Sequence, residues 1–260
     1  SLADFSVEET EEGHAVRYAL GALKGVGEGA MEVLCKERET NGLFKSLDDF
    51  ADRISPRLVN RRQIESLAAG GAFDCIEPNR AGVHGAAEML LAVAAEAESA
   101  RTSGQGGLFG GEEHKVEAVK LPNNVHWSIA DRMGHEKDAF GFYFSAHPVD
   151  RYAQVAEAHG ARTHAQWCAM PMPADGGRAP GTMAVLVEDV RWRTSAKGRR
   201  YANVAVSDQS GQFIASCFDE ATAKDLEEAA KANLCVLLHV EMDKQPGEET
   251  PRVAARRMQR

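Results

Sequence analysis

Thr182-Met-Ala-Val-Leu-Val-Glu-Asp-Val-Arg-Trp-Arg-Thr-Ser-Ala-Lys-Gly-Arg-Arg-Tyr-Ala-Asn-Val-Ala-Val-Ser-Asp-Gln-Ser-Gly-Gln-Phe-Ile-Ala-Ser-Cys-Phe218 is the stretch whose reading decides the architecture of this chain. It divides into three runs of strand-forming residues, Thr182 to Arg193, Arg200 to Ser207 and Gln212 to Phe218, with a polar turn at Asp208-Gln-Ser-Gly211 before the last. Three antiparallel strands are the simplest reading. Downstream, Ala223, Leu226, Ala229 and Ala230 give Thr222 to Ala232 the apolar side of a short helix, and two more strands follow at Leu234 to Asp243 and Arg252 to Met258.

The resulting order, β-β-β-α-β-β, is the layout of the small oligonucleotide/oligosaccharide-binding barrel, the OB-fold. Upstream the regime differs. Residues 14–100 are helical in pattern. Ser46 with Asp49 predicts a helix start, after which Leu47, Phe50, Ala51 and Ile54 form one apolar face that Pro56 ends. Asn60 with Gln63 opens a second helix, closed by Gly70-Gly71. Residues 79–101, rich in Ala, Glu, Leu and Met, predict one long helix. Glycine then dominates from Thr102, and helical pattern resumes over 126–160 around Trp127, Ser128 and the packing run Phe140-Gly-Phe-Tyr-Phe144. The expected fold class is α+β and multidomain. An all-α domain spans 1–102, a flexible loop 103–112, a helical connector 113–177 and the barrel domain 178–260.

Composition bounds the functional classes. The 260 residues are 43% hydrophobic, enough for one or two buried cores, and no run of eighteen apolar residues occurs. The N-terminal residues lack a secretory layout, so a soluble cytoplasmic protein is expected. Five cysteines stand singly and read as buried reduced thiols, with no metal-ligand spacing. The formal net charge of -9 requires any DNA contact to be local, because phosphate binding is driven by local positive charge.

Three features carry candidate function. In Leu23-Lys-Gly-Val-Gly-Glu-Gly-Ala-Met-Glu-Val-Leu34, glycines flank a valine between helical segments. Gly25 and Gly27 permit positive φ, Val26 is placed to plug the core, and the free amides of the next helix suit a phosphate. This is the helix-hairpin-helix pattern, a DNA-backbone binder, with Lys24 nearby and Arg17 and Lys45 as possible neighbours. A plain αα-turn would use the same glycines for chain reversal alone. A second copy, Ile64 to Asp74, lacks the glycine-x-glycine core and reads as structural, with Arg57, Arg61 and Arg62 beside it as further DNA-phosphate candidates. The second feature, Gln105-Gly-Gly-Leu-Phe109, sets two large apolar residues in a loop, as expected of a peptide that docks into a partner's pockets, or of one that pins the loop onto its own domain. The third is Arg191 to Tyr201, between the first two barrel strands. There Arg193, Lys197, Arg199, Arg200 and Tyr201, with Trp192 nearby and Phe213 and Phe218 beyond, offer a charged track and stacking faces for a single strand. A solvated hairpin tip is the plainer reading. Arg252, Arg256 and Arg257 add positive charge on the last strand. His135, His147, His159 and His164 lack a paired carboxylate or cysteine, so no catalytic, metal or cofactor site is expected.

Taken together, Arg17-Tyr-Ala-Leu-Gly-Ala-Leu-Lys-Gly-Val-Gly-Glu28, Phe44-Lys-Ser-Leu-Asp-Asp-Phe50, Asn60-Arg-Arg, Ala69-Gly-Gly-Ala-Phe-Asp74, Asn79-Arg80, Gln105-x-x-Leu-Phe109 and Glu136-Lys-Asp-Ala-Phe-Gly-Phe-Tyr-Phe-Ser-Ala-His-Pro-Val-Asp150 closely resemble the C-terminal part of the bacterial DNA polymerase III alpha subunit, over nearly the whole chain. The resemblance implies a hairpin domain on duplex DNA and a barrel near single-stranded template. It also implies that Gln105, Leu108 and Phe109 hold the beta sliding clamp. Other subunits of the holoenzyme are then partners through the full-length protein, and a membrane is not. The family's PHP domain and catalytic palm have no counterpart here. A DNA-directed DNA polymerase, a nucleotidyltransferase, is therefore the implied parent, and this segment is expected to be inactive alone. The alternatives are a free-standing repair or recombination module built from the same two folds, and a purely structural domain whose apparent DNA motifs are turns.

Overall fold

The computed structural model of the chain describes every residue except 12, 103–117, 123, 172–176, 245–247 and 249. The described residues fall into two units, Ser1–Phe144 and Ser145–Arg260.

The first unit begins with a hairpin of β1 (Ser6–Thr10) and β2 (Gly13–Arg17), where a helical pattern is expected from residue 14. Its facing residues Val7 and Val16 are 69% and 70% exposed, so the strands bury no face and leave no alternation to read. The chain then passes through successive tight turns rather than a regular first helix, with Leu23 N–H donating to the Leu20 carbonyl and Val26 N–H to that of Leu23. Helices α1 (Glu28–Asn41), α2 (Leu47–Arg53), α3 (Arg61–Ala69), α4 (Arg80–Gly85), α5 (Ala87–Thr102) and α6 (Ile129–Phe140) follow. Their starts obey the capping logic. The Ser46 hydroxyl accepts from Asp49 N–H at 3.1 Å, Asn60 and Gln63 cap each other reciprocally, and so do Ser128 and Asp131. Helices α4 and α5 interrupt the single helix expected over 79–101. The break is at Ala86, directly after Gly85, a residue that does little to hold a helical turn.

Val26, Met31, Phe50, Ile64 and Leu90 are at most 2% exposed and centre this unit's core. Each such side chain contributes roughly 1.5–3 kcal/mol by burial. Phe44, Phe50 and Phe73 meet edge to face at 5.1 and 5.0 Å, and Tyr18, Phe140, Phe142 and Phe144 form a second aromatic cluster. Helix α6 packs on α3, so the stretch expected as a connector, 113–177, divides between the units.

The second unit opens with the 3-10 turn Pro148–Tyr152, α7 (Ala153–Ala158) and α8 (His164–Ala169). The strands β3 (Ala179–Thr194), β4 (Arg200–Asp208) and β5 (Gly211–Cys217) come next, then α9 (Glu220–Lys231), β6 (Cys235–Asp243) and β7 (Arg252–Gln259). The strands close into a barrel in the order β3-β4-β5-β7-β6. All neighbours are antiparallel except β5 and β7, which run parallel over Ala215–Cys217. This is the connectivity of the OB-fold, with its helix between the third and fourth strands. Val185, Val187, Val204, Val206, Ala215, Leu238 and Met242 fill the interior, and Ala223, Leu226 and Ala229 of α9 pack on it. Gly181 leaves room for the Trp167 ring.

The thiols depart from expectation at one position. Cys35 and Cys217 are buried, Cys168 and Cys235 half-buried, and Cys75 is exposed. Burial pushes the Cys235 thiol up to about 11, so it stays protonated at neutral pH.

Candidate nucleic-acid interface

In the first unit the candidate site is the loop Lys24–Gly27. Val26 is fully buried, while Lys24, Gly25 and Gly27 are exposed. Gly25 and Gly27 take φ of 77° and 83°, values that a side chain would strain. Gly27 precedes α1 without a side-chain cap, so the first-turn amides of α1 have no partner from a capping side chain, and the helix dipole favours an anion there. Gly25 and Gly27 N–H likewise have no recorded acceptor among the described residues.

Arg62 and Arg61, adjacent in sequence, fare differently. The Arg62 guanidinium lies across Gly25, with its Nε 3.3 Å from where a Cβ would stand, and it has no recorded ionic partner among the described residues. Arg61 pairs with Glu65 at 2.6 Å and also with Glu88, and the bond to Glu65 is the main reason its pKa is raised. Its charge is already compensated. Arg17 is held by Glu8 in the β1–β2 hairpin. The second glycine pair is filled by its own chain. Arg80 lies against Gly71 and pairs with Asp74 at 2.6 Å and with buried Glu136 at 2.9 Å, so its charge is compensated within the chain.

In the second unit the loop between β3 and β4 is a tight turn. Ser195 N–H donates to the Arg199 carbonyl at 2.9 Å, and Gly198 takes φ of 74°. Lys197 and Arg199 are exposed at its tip with no recorded side-chain partner among the described residues. Strand register aligns Arg193 with Tyr201, and Tyr201 stacks on Phe218 at 5.5 Å, 25° between planes. Tyr201, Asn203 and Ala205 point away from the interior, opposite to Ala202, Val204 and Val206, and Asn203 and Ala205 lie opposite Ser216 and Ile214 of β5. The result is an outward face carrying Arg193, Tyr201, Phe218, Asn203 and Ile214, with Phe218 60% exposed. Arg200 has turned elsewhere, its guanidinium 4.8 Å over the Trp192 ring. Trp192 donates from Nε1 to Glu227 of α9 at 3.3 Å, and Phe213 is buried against His164 at 4.3 Å, so neither ring is free to stack on a base. Asn203 and Ile214 were missed by sequence reasoning; alternation along β4 and β5 was the available signal.

Gln105, Leu108 and Phe109 lie outside the described residues. Among those described, no three His, Cys, Asp or Glu side chains stand together as a metal-holding group, and no helix is long and apolar enough to cross a membrane.

A family model described as a helix-hairpin-helix motif matches residues 1–83. Proteins named DNA polymerase III subunit alpha are similar over most of the chain. That of Caulobacter vibrioides is 37% identical across 82% of this chain and 18% of its own length. That of Neisseria meningitidis serogroup A is 39% identical across 76% and 16%. That of Deinococcus radiodurans is 33% identical across 85% and 17%. The chain thus spans less than a fifth of each of these relatives. A mitochondrial single-stranded DNA binding protein from S. cerevisiae aligns over 32% of this chain and 93% of its own at 15% identity, TM-score 0.26, and the barrel is assigned from its own strand order instead. By sequence, and with a hairpin module followed by a five-stranded barrel, the chain belongs with the bacterial DNA polymerase III alpha subunits, as a segment of that much longer protein.

Proposed function

We propose that this chain is a non-catalytic, C-terminal DNA-handling and tethering segment of a replicative polymerase. The Lys24–Gly27 loop with Arg62 receives the duplex backbone. The barrel face of Arg193, Tyr201 and Phe218, with Lys197 and Arg199 at its rim, receives single-stranded template. Gln105, Leu108 and Phe109 bind the beta sliding clamp. The polymerase activity, the clamp and the other holoenzyme subunits belong to the full-length protein in this reading.

The observation that carries it is the hairpin loop, whose plug Val26 is fully buried while both flanking glycines stay exposed with unspent amides. The test is duplex binding by fluorescence anisotropy across a salt series. Lys24→Ala with Arg62→Ala should weaken binding and reduce the salt slope by about two phosphate contacts. On single strands, Lys197→Ala with Arg199→Ala should do likewise, and an unaltered slope would return that loop to the solvated surface. Clamp binding, read by calorimetry, should vanish in the Leu108→Ala, Phe109→Ala double variant.

A further inference from the structure

The hairpin loop is shaped by two side chains of α3 that have no charge to offer DNA. Ser66 Oγ donates to the Lys24 carbonyl at 2.9 Å. Gln63, 9% exposed, donates from Nε2 to the Val26 carbonyl. Its Oε1 accepts from Asn60 N–H at 2.7 Å, so the amide is locked by the helix cap and its NH2 end has only the loop to face. The two residues stand three apart on one face of α3, and their acceptors are the alternate carbonyls of the loop, Lys24 and Val26, on either side of Gly25.

The consequence is electrostatic. In a bare glycine turn either face of a peptide unit can point outward, and a carbonyl turned to solvent would meet phosphate with its negative end. Drawing both carbonyls toward α3 turns the N–H ends of their peptide units the other way, and Gly25 and Gly27 N–H have no acceptor among the described residues, with the Arg62 guanidinium beside Gly25. We propose that Gln63 and Ser66 are positioning residues which fix the Lys24 and Val26 carbonyls inward and so preform the amide cradle for a DNA phosphate. This deepens the duplex-binding reading above and rests on it. Such preorganisation lowers the ordering cost of binding without adding a contact.

The experiment is duplex affinity across a salt series for the unaltered chain, Ser66→Ala, Ser66→Thr, Gln63→Leu and Arg62→Ala, with amide NMR shifts of Gly25 and Gly27 on addition of inorganic phosphate. Ser66→Ala is expected to weaken duplex binding roughly three- to tenfold, the worth of one hydrogen bond. Its salt slope should match the unaltered chain's, because no charge has been removed. Ser66→Thr, which keeps the hydroxyl, should restore affinity, and Arg62→Ala should lower the slope. In Ser66→Ala the phosphate-induced shifts of Gly25 and Gly27 should shrink. Gln63→Leu should act in the same direction; if it fails to fold, the Ser66 pair decides alone. Unchanged affinity and shifts in Ser66→Ala, or failure of Ser66→Thr to rescue, overturns the positioning role while leaving DNA binding intact. Absence of duplex binding by the unaltered chain overturns the duplex reading itself, and the positioning role with it.

Discussion

At the scale of single residues, burial separates side chains that build the molecule from those that are free to act. Val26 and Phe218 show the two extremes. Val26 has no exposed surface, so Val26→Ala should cost about 2 kcal/mol of the first unit's stability, measured by urea unfolding, and loosen the loop it anchors. A loss below a few tenths would mean that the plug does not hold the loop. Phe218→Ala should leave the thermal midpoint almost untouched and remove about 1–3 kcal/mol of single-strand affinity, the worth of one stacked base. Phe213→Ala should do the reverse, destabilising by about 3 kcal/mol, since that ring is packed under α8. Equal effects on stability from the two phenylalanines would contradict the division between interior and outward face. In sequence they are five positions apart and looked alike as platform candidates. Likewise the contacts of Ser66 and Gln63 with the loop gave no signal, Gln63 being legible only as part of a helix cap, because their acceptors are backbone carbonyls about forty positions upstream, which only tertiary packing brings near.

At the scale of elements, what was legible followed from whether an element buries a face. The barrel strands and α9 were placed to within three residues, since each has an interior side that writes a period into the sequence. The β1–β2 hairpin has no such side and was invisible. Helices α1 and α2 are joined by a charge cluster that makes a separate prediction. The Asn41 amide first, and then Arg53, hold the Glu37 carboxyl below its usual value. The Lys45 N–H first, and then Arg53, do the same for Asp49. Both groups have a depressed pKa in the folded state, so their stabilisation is complete above the ordinary carboxylate range and is lost as pH falls through the lowered values. Arg53→Met removes the partner they share. Its thermal midpoint should fall less steeply than the unaltered chain's between about pH 5 and pH 2. Parallel acid limbs in the two proteins would show that Arg53 contributes nothing to that linkage.

At the scale of the whole molecule, the net charge of -9 and the local cationic patches act at different ranges. The overall field repels nucleic acid at a distance and is screened by salt, whereas under the proposed reading Arg62, Lys197 and Arg199 act only at contact. Two modest contacts in one chain reinforce each other through effective concentration when both engage the same molecule of DNA. The division into two units was legible only in part. The boundary expected at the glycine-rich stretch from Thr102 does not coincide with the division at Phe144/Ser145, because the membership of α6 depends on packing against α3, which no local pattern records. The barrel itself has one uneven joint. Strands β3 and β4 face each other from Leu186 to Thr194, while β5 and β7 meet only over Ala215–Cys217 and Val253–Ala255. A hoop opens first at its shortest clasp. Amides bonded across β5 and β7 should therefore exchange with solvent deuterium sooner than those across β3 and β4, and a mass-spectrometric time course that found the opposite order would place the weak point elsewhere. In such an opening the last strand peels from its parallel neighbour while it still rests on β6, and the β4–β5 pairing from Ala202 to Asp208 stays whole.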